Sequence, residues 1–122
     1  MKVRAARGAI VVADDTAASV HASTGKLLAS LLERNGVEHD DLISILFTVT
    51  DDLRSAFPAE AARRMGMGDV PLLCAREIPV AGAMPSVVRV LMHFHSDRAL
   101  DQVTHVYLDG AEKLRDDLDA AT

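Results

Sequence analysis

Apolar and polar residues alternate through Ser86-Val87-Val88-Arg89-Val90-Leu91-Met92-His93-Phe94, a run whose β-branched and aromatic content predicts a strand over Val87–His95. Alternation puts Val88, Val90, Met92 and Phe94 on one face and Val87, Arg89, Leu91, His93 and His95 on the other. The first face predicts core. The second predicts a polar pocket or a subunit interface, because a guanidinium cannot shed its charge and needs an anion beside it when buried. Elsewhere the pattern changes period. Val3–Val12 reads as a strand, with Gly8 a bulge or a point of close approach, and Asp14-Asp15-Thr16 supplies capping chemistry for a helix. That helix runs to about Asn35, because Val20, Leu27, Leu28, Leu31 and Leu32 recur at spacings of three and four, and Gly36 stands at the expected left-handed cap. Leu42–Thr50 is a second strand with Ile43, Ile45, Phe47 and Val49 on one face. Asp51–Phe57 follows as a loop, and Pro58 opens a short helix ending near Gly66. Val70–Ile78 and Thr104–Leu108 complete five strands, and a Gly/Pro-punctuated loop, Pro79–Pro85, precedes the strand that bears Arg89. The pattern predicts an α+β sheet with helices on one face, forming one domain over residues 1–122.

Composition narrows the function classes. With 49% hydrophobic and 25% charged residues the 122-residue chain can build an ordinary core. Its one cysteine, Cys74, excludes an intramolecular disulfide and leaves no CxxC pair for zinc. No apolar run approaches the roughly 18 residues of a membrane span, and Met1-Lys2-Val3-Arg4 leads into alternation rather than a signal-peptide stretch, so a soluble, cytoplasmic protein is expected. A formal charge of −5 and four aromatics argue against a nucleic-acid partner, which favours a positive face with stacking platforms.

Taken singly, the candidate functional residues each have a bland reading. Arg4 and Arg7, three apart on one strand, point to opposite faces, and the small neighbours Ala5 and Ala9 leave room beside Arg7; edge-strand charges in solvent look the same. His93, His95 and His105 with Cys74 suggest a metal site only weakly, since no fourth ligand has characteristic spacing. Cys74 as a nucleophile lacks a neighbouring base and follows Leu72 and Leu73, which favour the neutral thiol. Glu77 and Tyr107 read equally well as rim residues.

In order along the chain, however, Arg7-Gly8-Ala9, Thr48-Val49-Thr50-Asp51-Asp52-Leu53, Ala56-Phe57-Pro58-Ala59, Val70 to Glu77, Arg89-Val90, His105-Val106-Tyr107-Leu108 and Leu114-Arg115 form a pattern. The chain resembles the monofunctional, trimeric chorismate mutases of the AroH class over nearly its whole length. The resemblance implies a five-stranded mixed sheet in a homotrimeric pseudo-α/β-barrel, with active sites between neighbouring subunits. It implies the rearrangement of chorismate to prephenate in aromatic amino-acid biosynthesis, with no cofactor and no metal.

A [3,3]-sigmatropic rearrangement needs no proton transfer and no covalent intermediate, which accounts for a chain without a catalytic dyad or phosphate loop. The protein acts by holding the substrate in a chair and by stabilising charge that grows on the ether oxygen. On the resemblance, Arg89 would serve that oxygen and a carboxylate, Arg7 and Tyr107 would grip the side-chain carboxylate, and Glu77 and the Cys74 segment would meet the ring hydroxyl. Backbone from Leu73 through Ala75 to Arg76 would line that side. Phe57 would arrive with its loop from the neighbouring subunit, Arg63 would lie near the mouth, and Leu114 and Arg115 would approach from the C-terminal segment. The chain departs from the family pattern at Glu60, where a lysine is usual, and at Asp116, where proline is frequent; the acidic tail 116–122 is expected to fray. A trimeric sensor that binds a small carboxylate without turning it over, or a plain interaction module with a protein carboxylate beside Arg89, would use the same residues.

Overall fold

The computed structural model describes residues 1–114, so Arg115 and the acidic tail 116–122 lie outside the described residues. Strand β1 (Lys2–Val11) pairs antiparallel with β4 (Val87–Ser96) without interruption, from Lys2 opposite Ser96 to Val11 opposite Val87. Gly8 is therefore not a bulge. It is a close approach: a Cβ there would sit 3.0 Å from methyl groups of both Leu27 and Leu31 and 3.2 Å from the Val106 carbonyl oxygen. The missing side chain lets helix α1 (Ala17–Asn35) settle directly onto the sheet.

The helix ends follow their capping residues. The Thr16 hydroxyl accepts the Ser19 N–H at 3.1 Å, and Gly36, at φ 61°, returns its N–H to the last turn. Between the caps, Val20, Leu27, Leu28 and Leu31 are fully buried against the sheet. Buried Asn35 ties the helix end to the chain before the last strand: its amide donates to the Leu31 and Thr104 carbonyls and its side-chain oxygen accepts the Thr104 N–H at 2.8 Å.

Strands β2 (Leu42–Val49), β3 (Leu72–Arg76) and β5 (Val106–Leu108) complete a sheet of order β3-β2-β4-β1-β5. The outer pairs β2–β3 and β1–β5 are parallel and the inner ones antiparallel, so the sheet is mixed, as expected. A short helix α2 (Ala59–Arg64) connects β2 to β3. Ile45 and Phe47 are fully buried on the helix-covered face, but a register shift between Leu42 and Ser44 takes Ile43 out of the predicted alternation.

The two edge strands are shorter than the alternation predicts, for local reasons. Val70 donates its N–H to Met67 in a turn, and Pro71 has no N–H to give a ladder, so β3 begins at Leu72. At β5, Thr104 spends its backbone groups on Asn35, and the Arg7 N–H goes to the imidazole of His105 rather than to a carbonyl. One face of the sheet carries the helices and the main core. At one end of the other face, Ala9, Val87 and Ala111 form a small cluster with Met84, Tyr107 and Leu114 against it.

Candidate active site

The register lines up residues from all five strands on the face away from α1. Ala75 lies opposite Thr48, Thr48 opposite Arg89, Arg89 opposite Ala9, and Ala9 opposite Tyr107, a single row from β3 across to β5. The next row runs Leu73, Leu46, Leu91 and Arg7. Strands about 4.8 Å apart place Arg89 and Tyr107 roughly 10 Å from one another, the span of a small dicarboxylate. A cavity of about 360 Å³ sits over the rows, lined among others by Arg7, Thr48, Ala75, Glu77, Arg89 and Tyr107. This volume is within the range of small-molecule sites.

Alternation explains why these side chains meet. Val88 and Val90 turn into the core, so Arg89 between them must emerge on the open face. The alanines on either side of its row, Ala75 and Ala9, leave space that larger residues would fill. Glu77, just beyond β3 and held by its N–H to the Val49 carbonyl at 2.9 Å, brings Oε1 to 3.0 Å from Arg89 Nε. The pair is close but not aligned: the buried Nε–H makes no hydrogen bond, so Arg89 is braced by charge while keeping a donor in reserve. The buried Thr48 hydroxyl beside it also has no hydrogen-bond partner among the described residues. The arrangement suits an anionic ligand with an apolar body, since Leu46 and Leu91 floor the cavity between two guanidiniums, a phenol and one carboxylate.

Of the residues picked out in the sequence, Arg7, Ala75, Glu77, Arg89 and Tyr107 thus share one cavity within a single chain. Others do not. Cys74 points the opposite way from Leu73 and Ala75, packing against the main core and facing a second cavity of about 660 Å³ with Phe57, Pro58, Ala75 and Arg76. Its thiol is therefore turned away from Arg89, while its backbone stays beside Ala75, which lines both cavities. Phe57 is 73% exposed on that second groove. Arg76 is engaged with Asp51 at 2.7 Å, and Arg63 with Glu60 at 3.1 Å on α2, away from Arg89. Leu73 is exposed, and Leu114 packs beside Tyr107 and Ala9. Thr48, Leu46 and Leu91 were missed; their signal was the same alternation that singled out Arg89, applied to the neighbouring strands.

Two carboxylates outside the cavity fix the loops around it. Asp52 accepts from the Ser86 N–H and hydroxyl, both at 2.9 Å, and so holds Ser86 at φ 58°, in the left-handed region, where β4 begins. Hydrogen bonds from the Thr50 hydroxyl first, then from Ser86, lower the Asp52 pKa below its ordinary 3.8. Asp15 accepts the Arg54 and Ser55 N–H groups at 3.0 Å; these bonds outweigh the opposing desolvation, individually its largest influence, and its pKa is also lowered. The imidazoles are dispersed: His93 meets the Ser44 hydroxyl at 3.2 Å and His39 pairs with Asp69 at 2.7 Å. Among the described residues no three His, Cys, Asp or Glu side chains lie close enough to hold a metal ion.

Comparison with known proteins bears on this geometry. Residues 3–118 match the sequence model of the family described as chorismate mutase type I. A chorismate mutase AroH of Thermus thermophilus is 52% identical over 120 residues, 98% of each chain. Its counterpart from Bacillus subtilis (strain 168) is 37% identical over 119 residues, 97% of this chain and 94% of that one. A solved structure, a chorismate mutase from Clostridium thermocellum Cth-682, superposes with a TM-score of 0.89 at 49% identity, covering 90% of this chain and 98% of that one.

Proposed function

This chain belongs to the chorismate mutase type I family, and we propose that the cavity crossing its five strands is where it turns chorismate into prephenate. The reaction breaks the ether carbon–oxygen bond and forms a carbon–carbon bond within one molecule, so atoms and electrons balance without a co-reactant. The task left to the protein is to hold the enolpyruvyl side chain over the ring and to meet the negative charge that develops on the ether oxygen.

The observation that carries the reading is Arg89: a permanent cation, backed at 3.0 Å by Glu77, whose Nε–H makes no aligned hydrogen bond among the described residues. Its backbone is clamped between β2 and β1, so little reorganisation is needed as charge moves onto the oxygen. Arg7 and Tyr107, at the far end of the same cavity, are suited to the side-chain carboxylate. Glu77 has its second oxygen for the ring hydroxyl, with backbone of Leu73 to Arg76 alongside.

The same reading makes the protein a homotrimer. Within the described residues of one chain no helix covers the sheet face that carries the Arg89 cavity, and Leu73, Phe57, Ile78 and Val80 are exposed. Cyclic closure would bring unlike surfaces together, so that the Phe57 groove of one subunit covers the Arg89 cavity of its neighbour. Arg63 would reach the mouth only through that contact, where it offsets Glu60. No helix among the described residues is long and apolar enough to cross a membrane, and residence in the cytoplasm is part of the proposal. Incubation with chorismate tests it directly: the diene absorbance should disappear and prephenate should accumulate at a rate proportional to protein. A folded protein that binds chorismate and leaves its absorbance unchanged would refute the proposal and favour a metabolite sensor.

A further inference from the structure

We infer that His105 is a positioning residue for Arg7, a role that rests on the reading of Arg7 as the grip for the substrate's side-chain carboxylate. The imidazole Nδ1 accepts the Arg7 backbone N–H at 3.0 Å, across 98 residues of chain. The contact stands where the sheet runs out. Paired backbone between β1 and β5 begins only at Gly8 opposite Val106, one residue beyond Arg7. On the other side Arg7 lies opposite Leu91 of β4, so the ring takes the Arg7 N–H at the point where the backbone pairing of β1 with β5 starts.

His105 stands immediately before β5, whose Val106 is fully buried against the core. The imidazole lies at the edge of β1 beside Arg7, a side chain standing where a fifth strand would supply a carbonyl. Only the neutral ring with its hydrogen on Nε2 leaves Nδ1 free to accept, so the contact fixes the tautomer as well as the strand. The bond is exposed. Water can replace it, so loss of that bond by itself should hardly change stability. Position is another matter: without an acceptor of fixed place the Arg7 N–H is left to water just where pairing with β5 starts, and the guanidinium at the end of a long side chain loses its aim at the carboxylate.

The side chains that separate position from bulk are asparagine and glutamine. Asparagine Oδ1 occupies the place of Nδ1 relative to Cβ, whereas glutamine puts its acceptor where Nε2 was. His105→Phe and His105→Gln should raise the KM for chorismate roughly 3–10-fold with kcat within about twofold, the cost of one misplaced neutral hydrogen bond acting on binding. His105→Asn should recover most of that loss. Thermal midpoints should agree across the folded variants, which a purely structural role would not predict. Parent turnover and Arg7→Ala are measured alongside. Absence of turnover in the parent refutes the enzyme reading itself, whereas a raised KM in Arg7→Ala with a parental KM in His105→Gln refutes only the positioning role. A KM unchanged in Arg7→Ala overturns both. If His105→Phe fails to fold, the glutamine and asparagine pair decides alone: equal KM values overturn the inference.

Discussion

Replacing Arg89 by methionine keeps a long, flexible side chain of similar reach in the row between Thr48 and Ala9 while removing the charge. Two effects follow and they differ in size. For stability, the lost partner is Glu77, 3.0 Å away; the Arg89 side chain is 41% exposed and that of Glu77 26%. At that separation the Coulomb attraction is about 1.4 kcal/mol in a water-like dielectric. Solvent screening and the entropy of fixing both chains reduce the net to about 1 kcal/mol or less. In a chain of this length that lowers the melting temperature by roughly 3–5 °C. For catalysis, the proposed role has the lost group facing an oxygen whose charge grows only in the transition state, and removal of such a donor costs about 2.7–4 kcal/mol, or 10²–10³ in kcat. Substrate affinity should change much less. Arg89→Lys should recover part of kcat, since an ammonium restores the charge but not the planar fork that can serve two oxygens together. The assay is continuous loss of chorismate absorbance with kcat and KM resolved, next to a melting curve. A folded Arg89→Met protein with kcat within about threefold of the parent refutes the reasoning and leaves the guanidinium as a structural charge.

Light scattering behind a sizing column should give a mass of about 39 kDa, three times the 13.1 kDa chain; a monomer mass at assay concentration refutes the shared site. With no proton moved in the reaction, kcat measured from pH 6 to 9 should be nearly flat, and a bell centred near neutrality would require an ionising group in the mechanism. Asp52 is held charged in the fold, its pKa below the ordinary 3.8, so its contribution to stability is complete above that value and disappears as pH falls through the native pKa. Asp52→Asn should therefore be less stable than the parent at pH 7 and show a shallower acid loss, read from denaturant midpoints at successive pH values; parallel curves would refute the role given to the Ser86 clamp.

Much of the fold was legible because the signals were local. Thr16 and Gly36 are read from capping chemistry alone, and the two faces of β4 from alternation, each set by neighbours within a few residues. Gly8 was legible only as a choice between bulge and close approach, since the deciding atoms belong to Leu27, Leu31 and Val106. The short edge strands were overread: no local rule says that Asn35 will take the backbone of Thr104 or that His105 will take the N–H of Arg7. In the site, Arg89 declared itself as a charge in an apolar run. Thr48 and Leu91 did not, because ordinary strand residues acquire a role only from register. Cys74 sits one position out of step with Leu73 and Ala75, which turns its thiol to the other face while its backbone stays beside Ala75.

The row from Ala75 to Tyr107 has a consequence for the stability of the sheet as well as for its chemistry. Its ends lie on β3 and β5, edge strands of five and three residues, which are where a sheet opens first. A ligand lying along the row touches both, so neither edge can fray without giving up part of the bound molecule. Occupancy then works as a brace across the strands: at 100 times Kd it adds about 2.7 kcal/mol to the closed form. The slow amide exchange expected at the centre of a sheet should extend outward to its margins while the substrate is in place.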